Sequence, residues 1–273
     1  MYLSMVVFEE CLAEYHPRMT GHSDLIKIKF MGVQEAMEGQ EYLPDHMLLE
    51  HVEYFVSHPV PAAWGCLCIG EPPEDLFKNN ICLIFPENTD RTSLYHDIQK
   101  IFFLYNSWEM EIRKAMQRNA TLEEMCNLCI PIFEKPIFIH DRNNELLAIA
   151  NEMAGQFSWQ YDETFDKYYL PLEILNTFKS SDEYHKTLHT YGAHVFSAKA
   201  TGYRTLYVNL RIEWVYVGRV CLDEIGTPIR KRDYELLEFF ADNIALAMQQ
   251  GMLLVSDVSN VLSILFKEMI DGK

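Results

Sequence analysis

The sequence predicts an α+β chain in two parts. A smaller mixed α/β domain spans residues 1–92, and an antiparallel sheet flanked by helices spans 119–250, with a connecting helix over 93–118 between them. Three observations carry this. Short apolar, strand-like runs cluster before residue 86 and again between 135 and 224. Long amphipathic stretches interrupt them at 93–118 and 227–250. The later strands are joined by tight connections at 141–144 and near Ile212-Glu213, so they pair as antiparallel neighbours.

In the first part, LIKIKF (25–30) alternates and predicts a strand, whereas HMLLEHVEYFV (46–56) carries partial helical spacing. GCLCIG (65–70) and NNICLIF (79–85) read as two neighbouring buried strands separated by the turn-forming EPPEDL. Cys66 and Cys68 lie two apart on such a strand, share a face and read as packing. After the polar break ENTDRT (87–92), the helix places Ile98, Ile101, Tyr105, Trp108, Ile112 and Ala115 in alternating steps of three and four. That seam fits a helix packed on its own domain, and equally a signalling or dimer helix. A capping box, Thr121 to Glu124, starts a further helix near Leu122 that ends before Pro131.

The second part opens with KPIFIHD (135–141), the turn DRNN (141–144) and the returning strand ELLAIA (145–150). Residues 151–169 form a polar and aromatic loop without a clear period. One or two short helices follow over 171–190, with Pro171 at a helix start. Strands are expected at AHVFSA (193–198), YRTLYVNLR (203–211) and WVYVGRVCLDE (214–224). The helix at 227–250 carries the stripe Leu236, Leu237, Phe240, Ile244 and Met248, with Asp233 as a cap. Residues 251–273 start a C-terminal linker, with a separate short helix over 259–273.

Composition narrows the function. Hydrophobic residues make up 49% of the 273, enough for packed cores. The formal net charge of −17 repels phosphate backbones and anionic membranes, so nucleic-acid binding by these residues is excluded as a leading role. No stretch is long and apolar enough to span a bilayer. Seven irregularly spaced cysteines and an N-terminus without a basic leader point to free thiols in a reducing cytoplasm.

The element order from residue 121 is similar to that of a GAF domain (a PAS-related fold). The hairpin PIFIHDRNNELLAIA and the closing VGRVCLDEIGTPIRKRDYELLEFFADNIALAMQ carry that likeness. Over nearly its whole length the chain resembles the sensor region of the PucR family of transcription regulators. NICLIFPENTDRTSLYHDIQKIFFLYNSWEMEIRKAM resembles the segment joining that family's N-terminal domain to its GAF-like domain. TLEEMCNLCIPIFEKPIFIHD resembles the entry into the latter, and NVLSILFKEMIDGK the linker helix before a helix-turn-helix. These residues hold no helix-turn-helix of their own, so DNA contact is expected only through a segment absent from this sequence. The resemblance implies a ligand sensor: a sheet with helices on one face and a pocket for a small-molecule effector on the other, acting as a homodimer.

Strand parity then nominates the pocket. If Leu206, Val208, Leu210, Val220 and Leu222 face helix 233–249, then Thr205, Tyr207, Asn209, Arg219 and Cys221 face the pocket. Among the loop aromatics Phe157, Trp159, Tyr161, Phe165, Tyr168 and Tyr169, the candidates for its lining are Trp159 and Tyr168. Arg219 is either a receptor for a carboxylate or phosphate, or a surface arginine on an edge strand or beside a protein acid. His185, His189 and His194 are spaced for a metal, but no HExxH accompanies them, and solvated helix histidines are expected instead. Cys126-x-x-Cys129 reads as helix core. No nucleophile elbow, phosphate loop or dinucleotide fingerprint is present, so a non-enzymatic chain without cofactor, metal or catalytic residues is expected. A ligand-independent dimerisation scaffold, its pocket filled by Tyr207 and Trp159, and a small-molecule enzyme remain as alternatives.

Overall fold

The computed structural model describes residues 1–270 except 22, 38 and 40, and gives the backbone alone for 23 and 252–270. The chain divides into two units, Met1–Glu111 and Ile112–Lys273.

The first unit contains β1 (Leu3–Ser4), α1 (Met5–Cys11), β2 (Arg18–Gly21), β3 (Lys29–Phe30), β4 (Gly32–Glu35), β5 (His46–His51), α2 (Val52–Ser57), β6 (Gly65–Ile69), β7 (Ile81–Phe85) and most of α3 (Arg91–Gln117). Its main sheet has the order β2-β7-β6-β5-β4. The strands β4 to β7 run parallel, and β2 is antiparallel to β7. Every residue of β6 and β7 is buried, as parallel strands covered on both faces require. Cys66, Cys68 and Cys82 pack with Leu48, Phe55, Phe77 and Ile84, so the paired cysteines are core.

Two local expectations are corrected. Residues 25–30 form mainly a 3₁₀ turn (Ser23–Lys27) and the two-residue β3, because the Ile28 amide bonds Leu25 O at 3.0 Å and satisfies the backbone locally. Residues 46–56 are half strand and half helix, since β5 is claimed by β4 and β6 on its two edges before α2 begins. The six seam residues of α3 are all buried within the chain. Phe102 packs on Phe8 at 5.0 Å, and the Tyr105 hydroxyl lies 3.6 Å from the Cys11 thiol. The seam is therefore taken by packing inside the protein and is not open to a partner helix.

The second unit contains α4 (Leu122–Asn127), α5 (Ile130–Phe133), β8 (Ile137–Asp141), β9 (Leu146–Ala150), β10 (Gln160–Asp162), β11 (Lys167–Tyr169), α6 (Leu172–Lys179), α7 (Asp182–Thr187), β12 (Ala193–Phe196), β13 (Thr205–Ile212), β14 (Val215–Asp223) and α8 (Lys231–Ile270). The strands β8, β9, β12, β13 and β14 form one antiparallel sheet of order β12-β13-β14-β8-β9. The helix α8 packs on β13 and touches β12 and β14. This is a GAF-like α+β fold: an antiparallel sheet flanked by helices.

The capping box is formed, with Thr121 Oγ1 accepting from the Glu124 amide at 3.1 Å and the Glu124 carboxylate accepting from the Thr121 amide at 3.1 Å. The helix begun there, α4, ends at Asn127, before Pro131 as expected, and Pro131 itself lies in the first turn of the separate short α5, where it costs no helix bond. Within 151–169 the expected loop contains a hairpin, β10–β11, with Tyr161 opposite Tyr168. Asp233 sits within the first turn of α8, not before it, and accepts the Arg230 amide at 2.9 Å. The two expected C-terminal helices are one, because no proline stands between 251 and 258 and a single Gly251 costs a helix only about 1 kcal/mol. Residues 271–273 of that expectation lie outside the described residues.

Candidate functional site

Strand alternation sorts β13 and β14 as follows. Leu206, Val208, Leu210, Val220 and Leu222 are buried, as are Leu236, Leu237, Phe240 and Ile244 of α8. Thr205, Tyr207, Arg219 and Cys221 line a cavity of about 40 Å³ on the other face. The neighbouring strand β8 adds two residues by register, since Arg219 pairs with His140 and Cys221 with Phe138. Aromatic walls come from Phe138, Phe157, Phe178, Tyr184 and Phe196. Phe178 and Tyr184 stack at 4.4 Å across the α6–α7 junction and close one side.

A register shift at Leu210/Arg211 skips Val217 and moves Tyr216 onto the face of Arg219. Gly218 lies at that bulge, where an added Cβ would sit 2.2 Å from His140 O. The close approach of β14 to β8 thus requires glycine there.

Arg219 is the charged centre of the cavity. It is only 4% exposed and lies on β14, between β13 and β8, so it is not an edge-strand arginine. Its guanidinium carbon lies 4.7 Å from the Tyr207 ring, 5.4 Å from Tyr184 and 5.9 Å from Tyr216. Nη2 donates to Thr187 Oγ1 at 3.1 Å, while Nε is buried without a partner. No carboxylate pairs with it among the described residues. With no acid beside it, only these ring faces and the Thr187 hydroxyl offset the hydration that Arg219 loses on burial.

His140 beside it is held neutral. Burial, then repulsion from Arg219, push its pKa down to about 3, and Nδ1 lies 2.8 Å from Asp141 O. The Cys221 thiol is pushed up by burial, so it is no ready nucleophile. At the far end of β14, Asp223 is fully buried. Its carboxylate accepts from Gln156 Nε2 at 2.9 Å and from Thr205 Oγ1 at 2.8 Å, tying the 151–157 segment to the sheet. Burial raises its pKa to about 6.

Of the residues nominated from sequence, the fold gathers Thr205, Tyr207, Arg219 and Cys221 at the cavity. Trp159 packs behind the wall on Phe138 at 5.4 Å, and with Tyr168 it lines a separate open groove. The Asn209 amide donates to Thr187 O at 2.6 Å and Thr190 O at 3.1 Å, fixing the end of α7. Sequence reasoning omitted Phe138, His140, Phe178, Tyr184 and Phe196. The parity already used on β13 and β14 would have found the first two, since positions 138 and 140 share a face of β8.

The metal and cysteine motifs fall elsewhere. The helix α7 ends at Thr187, so His185 and His189 do not share a helix face, and His185 and His194 lie 3.0 Å from Lys179 O and Tyr191 O. No cluster of three metal-ligating side chains occurs among the described residues. Cys126 and Cys129 are buried core residues, and burial raises the Cys126 thiol to about 12. No described helix is long and apolar enough to cross a membrane.

No protein-family model matches the chain, and no curated protein matches it significantly. Among solved structures it is similar to the cofactor-binding GAF domain of the nutrient sensor CodY from Clostridium difficile. The identity is 12%, over 53% of this chain and 97% of that one, with a TM-score of 0.38. It is similar to the phycoerythrobilin-bound GAF domain of a cyanobacterial phytochrome, at 10% identity over 54% and 96% with a TM-score of 0.41. It is also similar to the type II free methionine-R-sulfoxide reductase of Thermoplasma acidophilum, at 15% identity over 51% and 94% with a TM-score of 0.29. The GAF-like assignment rests on the sheet order and on the placement of α8, and similarities this distant do not extend it.

Proposed function

We propose that the chain is the ligand-sensing region of a cytoplasmic bacterial transcription regulator of the PucR type. A small-molecule effector enters the cavity around Arg219. The change passes through α8 to a DNA-reading domain outside these residues, and the regulator acts as a homodimer. The observation that carries the reading is Arg219 itself, a buried guanidinium with a free Nε and no acid, facing a cavity walled by aromatic rings. Effector binding acts by differential affinity: a guest that separates the Phe178–Tyr184 stack favours one arrangement of α6–α7 over another. Catalysis has less support, since His140 and Cys221 are both held in their neutral forms.

The size of the cavity supports a second reading. About 40 Å³ is close to the share of one water molecule in the liquid, so in the described form side chains fill most of the space. A dimerisation scaffold with a self-filled core would look the same. A thermal-shift screen of metabolites separates the two. A sensor gives at least one compound that raises the melting temperature of the wild type, with the effect lost in Arg219→Ala and Tyr207→Ala. A screen with no stabilising compound favours the scaffold.

A further inference from the structure

We infer that the cavity's guest is a small apolar monocarboxylate, with a flat or short aliphatic body, held by its carboxylate on Arg219. The inference rests on the sensor reading and narrows it to a ligand class.

Charge sets the first limit. The cavity offers one permanent cation, and no acid neutralises it among the described residues. His140 on the adjacent strand contributes no second charge, being buried beside Arg219 with its Nδ1 on Asp141 O. One guanidinium neutralises one negative charge. A phosphate dianion would leave excess charge in a site of low polarity, and a cationic guest would meet Arg219 directly. A neutral guest with an acceptor oxygen would satisfy Nε, which is now without a partner, but would leave the guanidinium's charge without a counter-charge. A monoanion corrects both defects at once, and a carboxylate matches the planar donor fork.

The walls set the second limit. Tyr207 and Tyr184 present ring faces to the guanidinium, and Phe138, Phe157 and Phe196 complete an apolar enclosure. Of the other polar lining groups, Tyr184, Tyr207, Thr205 and His140 Nδ1 already hold partners in the protein, which leaves too few donors and acceptors to take up a sugar or nucleotide body. Such walls take a flat or short aliphatic body by contact and stacking.

The route sets the third. The cavity of about 40 Å³ does not hold a ring, so entry requires the Phe178–Tyr184 stack to move aside. That stack lies where α6 meets α7, and the Tyr184 hydroxyl is fastened to Asn144 Oδ1 by one bond of 3.3 Å. The same motion shifts Thr187, the hydroxyl now accepting from Arg219, so the guest's carboxylate replaces Thr187 on the guanidinium.

The test compares matched probes on the full chain by thermal shift and titration calorimetry: benzoate, benzamide, phenyl phosphate and benzylamine, together with short aliphatic carboxylates and their amides. The expected result is that a carboxylate binds at least about tenfold more tightly than its amide, the value of one charge-assisted contact. In Arg219→Met that preference collapses to about one, and in Arg219→Lys part of it survives. If amides or amines bind as well as carboxylates, or if the phosphate binds best, the monocarboxylate assignment is overturned while the sensing cavity stands. If no probe or metabolite of any charge binds, the assignment and the sensor reading fall together. The wild-type comparison of acid with amide needs no variant to fold.

Discussion

At the scale of single residues, two buried groups of the second unit, His140 and Asp223, pull stability in opposite directions. His140 takes up a proton near 6.5 when unfolded and near 3 in the fold. Its contribution is complete above about 6.5 and is lost as the pH falls toward 3. Asp223 releases its proton near 3.8 when unfolded and near 6 in the fold, so it relieves strain as the pH falls through 6. A shift of that size corresponds to roughly 3 kcal/mol. Asp223→Asn is therefore expected to steepen the loss of melting temperature between pH 6 and 4. His140→Asn is expected to flatten it. Circular-dichroism melts of both variants beside the wild type check this, since all other carboxylates cancel in the difference. Parallel slopes in all three proteins would refute it. The same strand arithmetic accounts for what was legible. Thr205, Tyr207, Arg219 and Cys221 were placed by a period of two, which sequence displays directly. Trp159, Tyr168 and Asn209 were not, because the first two lie in a segment with no period and the third lies beside a β-bulge that ends the cavity wall.

At the scale of elements, the start of β8 and the first turn of α8 are joined by one buried ion pair. Lys135 Nζ lies 2.9 Å from Asp233 Oδ2, both side chains have no exposure, and Lys135 also donates to Phe133 O at 3.2 Å. Removing either partner strands the other charge. Lys135→Met or Asp233→Leu alone is expected to destabilise by about 3–5 kcal/mol, and the double replacement by much less. Urea titrations of the two single variants and the double variant measure this. Equal additive losses would show that the residues do not act as a pair. A second element-level prediction concerns the β13–β14 turn, where Glu213 and Trp214 both have positive φ, 48° and 70°. That is a type I′ turn filled by residues ill suited to it, and Trp214 is 85% exposed. Glu213→Asn with Trp214→Gly is expected to stabilise by about 1–2 kcal/mol, again read by urea titration. Elements read best from sequence where one signal stood alone, as with the capping box at Thr121 and the hairpin at 137–150. They read worst where sheet pairing overrode local spacing, as in β5.

At the scale of the molecule, two units with separate sheets are expected to differ in what they do. The boundary falls inside α3, between Glu111 and Ile112, and every residue of the Arg219 cavity lies in the second unit. The cavity, its Asp223 anchor and the Lys135–Asp233 pair are all supplied by residues after 112. A fragment spanning 112–270 is therefore expected to unfold in a single transition and to reproduce the acid-over-amide preference of the full chain within about threefold. Binding energy comes from groups near the guest, and none of the cavity's lining residues belongs to the first unit. Calorimetric titration of fragment and full chain with the same carboxylate decides it. A folded fragment that has lost the preference would assign the first unit a part in the site, and the description of the cavity as complete within the second unit would then be wrong.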